Sequence, residues 1–211
     1  LNRKKEASGE EEFSYKSITS QSLDTSELLT QSEYGLELDG YELKGKHTYV
    51  DRSSWEPLLN YLALRDLSSD GEFRERASAL TDREGALNVW IFLQAVSGID
   101  NSGKNMYYVA KRTGSGTKMY FAPWDMDLTF GYTSDPDFPW GTKYESYLYE
   151  NYIWWEPGNR LMKTDAAGAR TLAQERYASL RETVLTDEWF ARELENLQHT
   201  VVDSGAFERD R

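Results

Sequence analysis

Asp100 and Asn105 stand five residues apart, and Asp125 and Asp127 follow, two apart, in Trp124-Asp-Met-Asp127. Two carboxylates and an amide oxygen suit a hard divalent cation such as Mg²⁺, which prefers oxygen ligands and keeps several waters. A further carboxylate five residues before an amide can orient a hydroxyl nucleophile while the amide holds metal. Kinases divide the labour of phosphoryl transfer in this way, with an Asp-x4-Asn loop ahead of a metal-binding Asp. Lys104, beside Asn105, adds a cation that can stabilise charge developing on a transferred phosphoryl group. Asp-Asn and Asn-Ser-Gly are also ordinary turn formers, and Asp-x-Asp equally serves Ca²⁺ and sugar-nucleotide sites, so spacing alone leaves these readings open.

The elements around these residues explain how they would meet. Thr81 and Glu84 have the spacing of a capping box. The run Ala86–Val96 after it is apolar nearly all round, as in a helix buried on most sides. Gly98 is expected to stop that helix in the left-handed conformation, which delivers Asp100 into a polar turn. Met106–Lys111 and Lys118–Trp124 read as two strands joined by the Gly-Ser-Gly loop. Such a hairpin carries the chain out from Asn105 and back to Asp125, so two residues twenty positions apart become neighbours.

The residues Asp100-Asn101-x-x-Lys104-Asn105-x-Tyr107 and Pro123-Trp124-Asp125-Met126-Asp127-x-Thr129-Phe130-Gly131 resemble the CotH (spore coat protein H) kinase family. Tyr41-Glu-Leu-Lys44 ahead of Trp55-x-x-Leu58, Arg176-Tyr177-x-x-Leu180-Arg181, and the closing Ser204-Gly-Ala206-x-x-Arg209-Asp210 agree in order. The resemblance runs from about Tyr41 to Arg211. It implies an α+β, atypical protein-kinase-like fold, mostly the helical carboxy-terminal lobe with a partial β-rich amino-terminal lobe. It implies ATP and Mg²⁺ (or Mn²⁺) as cofactors and phosphorylation of Ser/Thr hydroxyls on a coat or extracellular protein. By position it makes Asp100 the catalytic Asp and Asn105 and Asp125 metal ligands. Asp127 is then a supporting or second-metal carboxylate, and Lys104 a catalytic cation. The expected organisation is a single domain over 1–211, with the amino-terminal lobe in 1–50, the helical lobe in 51–211 and the catalytic hairpin in 98–131. A spore coat, secreted or cell-surface location follows from the family alone.

Phe13-Ser-Tyr-Lys16 reads as a short strand similar to the Leu-Tyr-Lys strand of that family's amino-terminal lobe. Lys16 is therefore either a candidate for the ATP phosphates, with Lys44 its rival, or an exposed lysine with no role. Residues 17–33 read as a loop, and 34–49 as one hairpin. Ser53 or Ser54 is expected to cap a helix from Trp55, with Pro57 in its first turn. A second short helix is expected over about 71–80. Residues 132–159 are crowded with aromatics, among them Trp140 and Tyr144; they form either an acceptor-binding lid or a satellite core. Two helices close the chain, one with Ala173, Tyr177, Leu180 and Val184 on a single face. The next is capped by Thr186 or Asp187, with Trp189, Phe190, Leu194, Leu197 and Val201 facing inward. The chain has neither GxGxxG nor a Walker A sequence, a departure from ordinary kinases.

Composition limits the alternatives. The 211 residues suffice for a real core, and 39% are apolar, with seven Trp and fourteen Tyr. A formal charge of −12 opposes non-specific nucleic-acid binding and attraction to anionic membranes. There is no cysteine, hence no disulfide. There is no apolar run long enough to span a bilayer and no visible signal peptide. The chain starts at Leu1 rather than Met and stops within the closing motif, as expected of a fragment truncated at both ends. Two rival readings use the same residues: an adenylyl transferase, and a non-catalytic surface or coat binding module with a divalent-cation site.

Overall fold

The computed structural model describes residues 12–19, 29–33, 35–45, 50–114, 116–130 and 153–209. They form an α+β structure with strands in the amino-terminal region and helices predominating in the carboxy-terminal region. Residues 1–170 form one compact unit and residues 171–211 a second.

In the first unit, β1 (Glu12–Ser17), β2 (Leu29–Ser32), β3 (Gly35–Leu38) and β4 (Tyr41–Lys44) precede α1 (Arg52–Leu67), α2 (Asp70–Leu80) and α3 (Arg83–Val96). A 3₁₀ turn (Ile99–Asn101) leads to β5 (Met106–Thr113) and β6 (Gly116–Pro123), and α4 (Glu156–Thr164) follows. Four strands make an antiparallel sheet in the order β4-β1-β5-β6. Strands from near the chain start and the later hairpin thus share one sheet. The hairpin matches expectation, but residues 34–49 do not pair as one. The strands β3 and β4 both form, with Asp39-Gly40 between them, yet β3 pairs with β2 and β4 with β1. Residues 29–32, expected in a loop, supply β2.

Strand alternation sorts the sheet into two faces. Tyr15, Tyr108 and Phe121 lie in register on the inner face. There Tyr15 stacks on Trp55 of α1 at 5.5 Å, and Phe121 meets Tyr61 at 5.6 Å and Trp155 at 5.1 Å. The Tyr15 hydroxyl donates to the Ser54 carbonyl at 2.7 Å. Within this core Arg65 holds Asp66 through Nε and Nη2 at 2.5 and 2.7 Å and donates to the Tyr108 hydroxyl at 3.3 Å. Burial raises the pKa of Tyr15, Tyr61 and Tyr108 well above that of an ordinary phenol.

Helix boundaries differ from expectation in three places. Asp51, not Ser53 or Ser54, caps α1, accepting the amides of Ser53 and Ser54. Thr81 closes α2 instead of capping α3; its amide donates to Ala77 and it bridges to Met119, which uses the residue before Glu84 can answer it. Asp82 takes the start of α3 without a side-chain cap. Ser97, at φ 53°, supplies the left-handed stop, while Gly98 has φ −74°. Gly98 is needed for space: a Cβ there would lie 2.9 Å from Leu93 and 3.2 Å from Met126. A glycine by a helix end thus admits the Asp125–Asp127 segment.

The second unit holds most of α5 (Ala169–Arg181), then α6 (Asp187–Leu197), a π-helical turn (Gln198–Asp203) and α7 (Ala206–Arg209). Thr186 caps α6 by accepting the Trp189 amide at 3.1 Å. Ala173 is buried and Leu180, Trp189, Phe190 and Val201 are partly buried, but Tyr177, Val184, Leu194 and Leu197 are exposed. Periodicity identified an apolar face but could not say whether anything covers it. The expected aromatic cluster falls largely outside the described residues; within them, Trp155 is buried and Trp154 exposed.

Candidate active site

The turn after α3 is built by local bonds. The Ile99 amide reaches Ser97 O at 2.9 Å and the Asn101 amide reaches Gly98 O at 3.3 Å. This tight coil presents Asp100 half-buried at the rim, with 20% of its side chain exposed. Asn105 Nδ2 donates to Asp100 Oδ2 at 2.7 Å, and Lys104 Nζ lies 3.1 Å from the same oxygen. Among the described residues only that carboxylate oxygen is engaged, which leaves Oδ1 for another donor. The side-chain Oδ1 of Asn105 is likewise left to accept, because its Nδ2 is the atom that faces Asp100.

Asn105 is fixed from three sides. Its N–H donates to Ser17 O of β1 at 3.1 Å, and its C=O accepts the Trp124 amide at 2.9 Å and Asn101 Nδ2 at 2.9 Å. Asn105 and Asp125 both sit in the left-handed region, at φ 55° and 56°. That conformation costs an L residue roughly 1–2 kcal/mol; Asn and Asp adopt it more readily than most. Met106 opposes Pro123 in the β5–β6 register, so Asp125 enters immediately beyond the residue that answers Asn105. The following segment is held to α3 by the Phe130 amide, which donates to Val96 O at 2.6 Å. The Trp124 ring meets Tyr107 edge to face at 5.8 Å.

The structure therefore brings Asp100, Lys104 and Asn105 into one bonded cluster and sets Asp125 next to it along the hairpin. Asp125 and Asp127 are exposed. Among the described residues, no three His, Cys, Asp or Glu side chains gather as a metal cluster. The donors are instead mixed: carboxylates at Asp125 and Asp127 and a carboxamide at Asn105. Oxygen-only candidate donors, two exposed carboxylates and one buried carboxamide, have the chemistry that a hard cation such as Mg²⁺ would take rather than a softer metal.

The two candidate lysines occupy different places. Lys16 opposes Tyr107 and Glu42 on the sheet's outer face, one residue before Ser17, whose carbonyl holds Asn105. Lys44 opposes Ser14 on the outermost strand, farther from that end, and pairs with Glu42. Asn101, which sequence reasoning gave no role, is 1% exposed and bridges the two halves of the cluster. A turn-forming residue type concealed it; its signal was only its place between Asp100 and Asn105.

Comparison with known families assigns the chain as a whole. The model described as CotH kinase protein matches residues 15–211. The chain belongs to the CotH kinase family. The match takes in the end of β1 from Tyr15 and every candidate residue from Lys16 to Asp127. Membership suggests a kinase-like function in general. No match to this CotH chain was found among curated proteins. Among its described residues, no helix is long and apolar enough to cross a membrane.

Proposed function

We propose that this CotH-family chain is an atypical protein kinase that transfers the γ-phosphate of ATP to a Ser or Thr hydroxyl of a coat or extracellular protein. The bonded Asp100–Asn105 pair, with Asp125 delivered beside it by the hairpin, carries this reading. Family membership supports it, and so does an overall plan in which a β-rich amino-terminal part precedes a helical part, as in a remote kinase-like domain.

Asp100 accepts a hydrogen bond from the acceptor hydroxyl and takes its proton as the oxygen attacks the γ-phosphorus. A new phosphorus–oxygen bond forms, the bond from the γ-phosphorus to the β–γ bridging oxygen breaks, and ADP leaves with that oxygen. Asn105 and Asp125 would hold Mg²⁺, with Asp127 supporting; the ion, when bound, neutralises phosphate charge. Asn105 also holds Asp100 Oδ2 and so aims the free oxygen. Lys104 balances charge beside Asp100. Lys16 is the better placed of the two lysines for phosphate oxygens, because β1 is bonded directly to the site loop. We further propose a spore-coat, secreted or cell-surface setting.

The test is incubation with Mg²⁺, a protein acceptor such as casein, and ATP labelled at the γ or the α phosphate, with Asp125→Ala alongside. Transfer from γ only, absent in the variant, is expected. Transfer from α would assign an adenylyl transferase. No transfer, with no nucleotide-dependent rise in melting temperature, would assign a binding module.

A further inference from the structure

The two residues proposed to hold metal come from different segments, and each has a left-handed backbone. Something must keep both peptide planes fixed relative to each other. The hairpin ladder ends at Met106 and Pro123, one and two residues short of them. Beyond the ladder, the Trp124 amide still donates to Asn105 O at 2.9 Å, and one side chain reaches the carbonyls of both segments. Asn101 Nδ2 donates both to Asn105 O, at 2.9 Å, and to Trp124 O, at 2.8 Å. The first carbonyl belongs to the peptide leaving Asn105, and the second to the peptide entering Asp125. Both protons of one amide group are thereby used to clamp the two ligand-bearing residues.

We propose that Asn101 is a positioning residue that sets the spacing between the Asn105 and Asp125 oxygens and so tunes affinity for a divalent cation. This rests on the reading of Asn105 and Asp125 as metal ligands. Its chemistry is specific. Aspartate has the same shape but would point carboxylate oxygens at two carbonyls. Serine keeps one donor for two acceptors. The side chain is sealed from solvent, so it acts through Asn105 and Asp125 and not on substrate. Outer residues that orient ligands typically contribute about 10–100-fold in metal affinity.

The experiment is titration of the full chain with Mn²⁺ in the presence of a non-hydrolysable ATP analogue, followed by the loss of the free Mn²⁺ electron-spin signal. Melting curves are recorded without metal. Asn101→Ser is expected to weaken Mn²⁺ binding at least tenfold with a metal-free melting temperature close to the parent's, and Asn101→Ala to weaken it further. Half-activating Mg²⁺ should rise in parallel, with turnover at saturating Mg²⁺ largely kept. Unchanged Mn²⁺ affinity in Asn101→Ser would overturn the clamp while parent binding, lost in Asp125→Ala, keeps the metal reading. A parent chain that binds no Mn²⁺ would overturn both.

Discussion

Asn105 Nδ2 donates to Asp100 Oδ2 at 2.7 Å, five residues back along a turn that is itself bonded at both ends. One amide thus restrains the carboxylate proposed as base and leaves its own oxygen free for the proposed metal. The two roles are coupled through a single side chain, so their loss should be separable only by choosing which end to remove.

Replacing the carboxylate alone is the cleanest separation. Asp100→Asn should lower turnover by about 10²–10⁴-fold, the usual contribution of a positioned base, while leaving metal-dependent nucleotide binding near the parent value. Calorimetric titration beside a turnover assay checks this. Equal losses in both would make Asp100 a structural residue.

Asp125→Ala should remove metal-dependent nucleotide binding, not just turnover. In the parent, Mg²⁺ and nucleotide at a hundredfold excess over Kd should add about 2.7 kcal/mol of stability. The variant should show no ligand-dependent rise in melting temperature. An undiminished rise would remove Asp125 from the metal site.

The buried Arg65–Asp66 pair makes a prediction about stability alone. Asp66→Ala leaves a guanidinium that is 6% exposed without its carboxylate. Breaking such a pair from one side costs about 3–5 kcal/mol. Denaturant unfolding should report that loss, and the catalytic parameters of the folded protein should not change.

Glu156 gives a pH dependence. Half-burial at the start of α4 raises its pKa above the ordinary carboxylate value, against the opposing pull of Arg65. A raised folded-state pKa means that Glu156 favours folding most below its unfolded pKa, and that this contribution is lost as pH rises through the folded value. Glu156→Gln should therefore be more stable than the parent at neutral pH, with the difference shrinking as pH falls below the carboxylate range. Paired melting curves between pH 4 and 8 test this. Asp70 works in the opposite direction, its pKa lowered chiefly by its bond to Lys163, so the comparison must be between variants and not along one curve.

Local patterns in the sequence determined a good deal. Alternation and a Gly-rich loop specify the β5–β6 hairpin, because a strand pair joined by a short turn needs only adjacent residues. The spacing of Asp100, Lys104 and Asn105 predicts that they lie on one turn. The order of motifs points to the family. Long-range packing decided the rest. β4 pairs with β1, a partner more than twenty residues away, because burying Tyr15 and Tyr41 on one sheet face outweighs the short Asp39-Gly40 connection. Ser97 took the helix stop because Gly98 was needed to admit Met126. Thr81 was taken by α2 and by Met119 before it could cap α3. Asn101 read as a turn residue, since nothing local reveals that the Trp124 carbonyl returns within 2.8 Å of it. The sequence by itself determined which groups are available for chemistry. Their register was left to tertiary structure, because it depends on bonds between segments that meet only when the sheet closes.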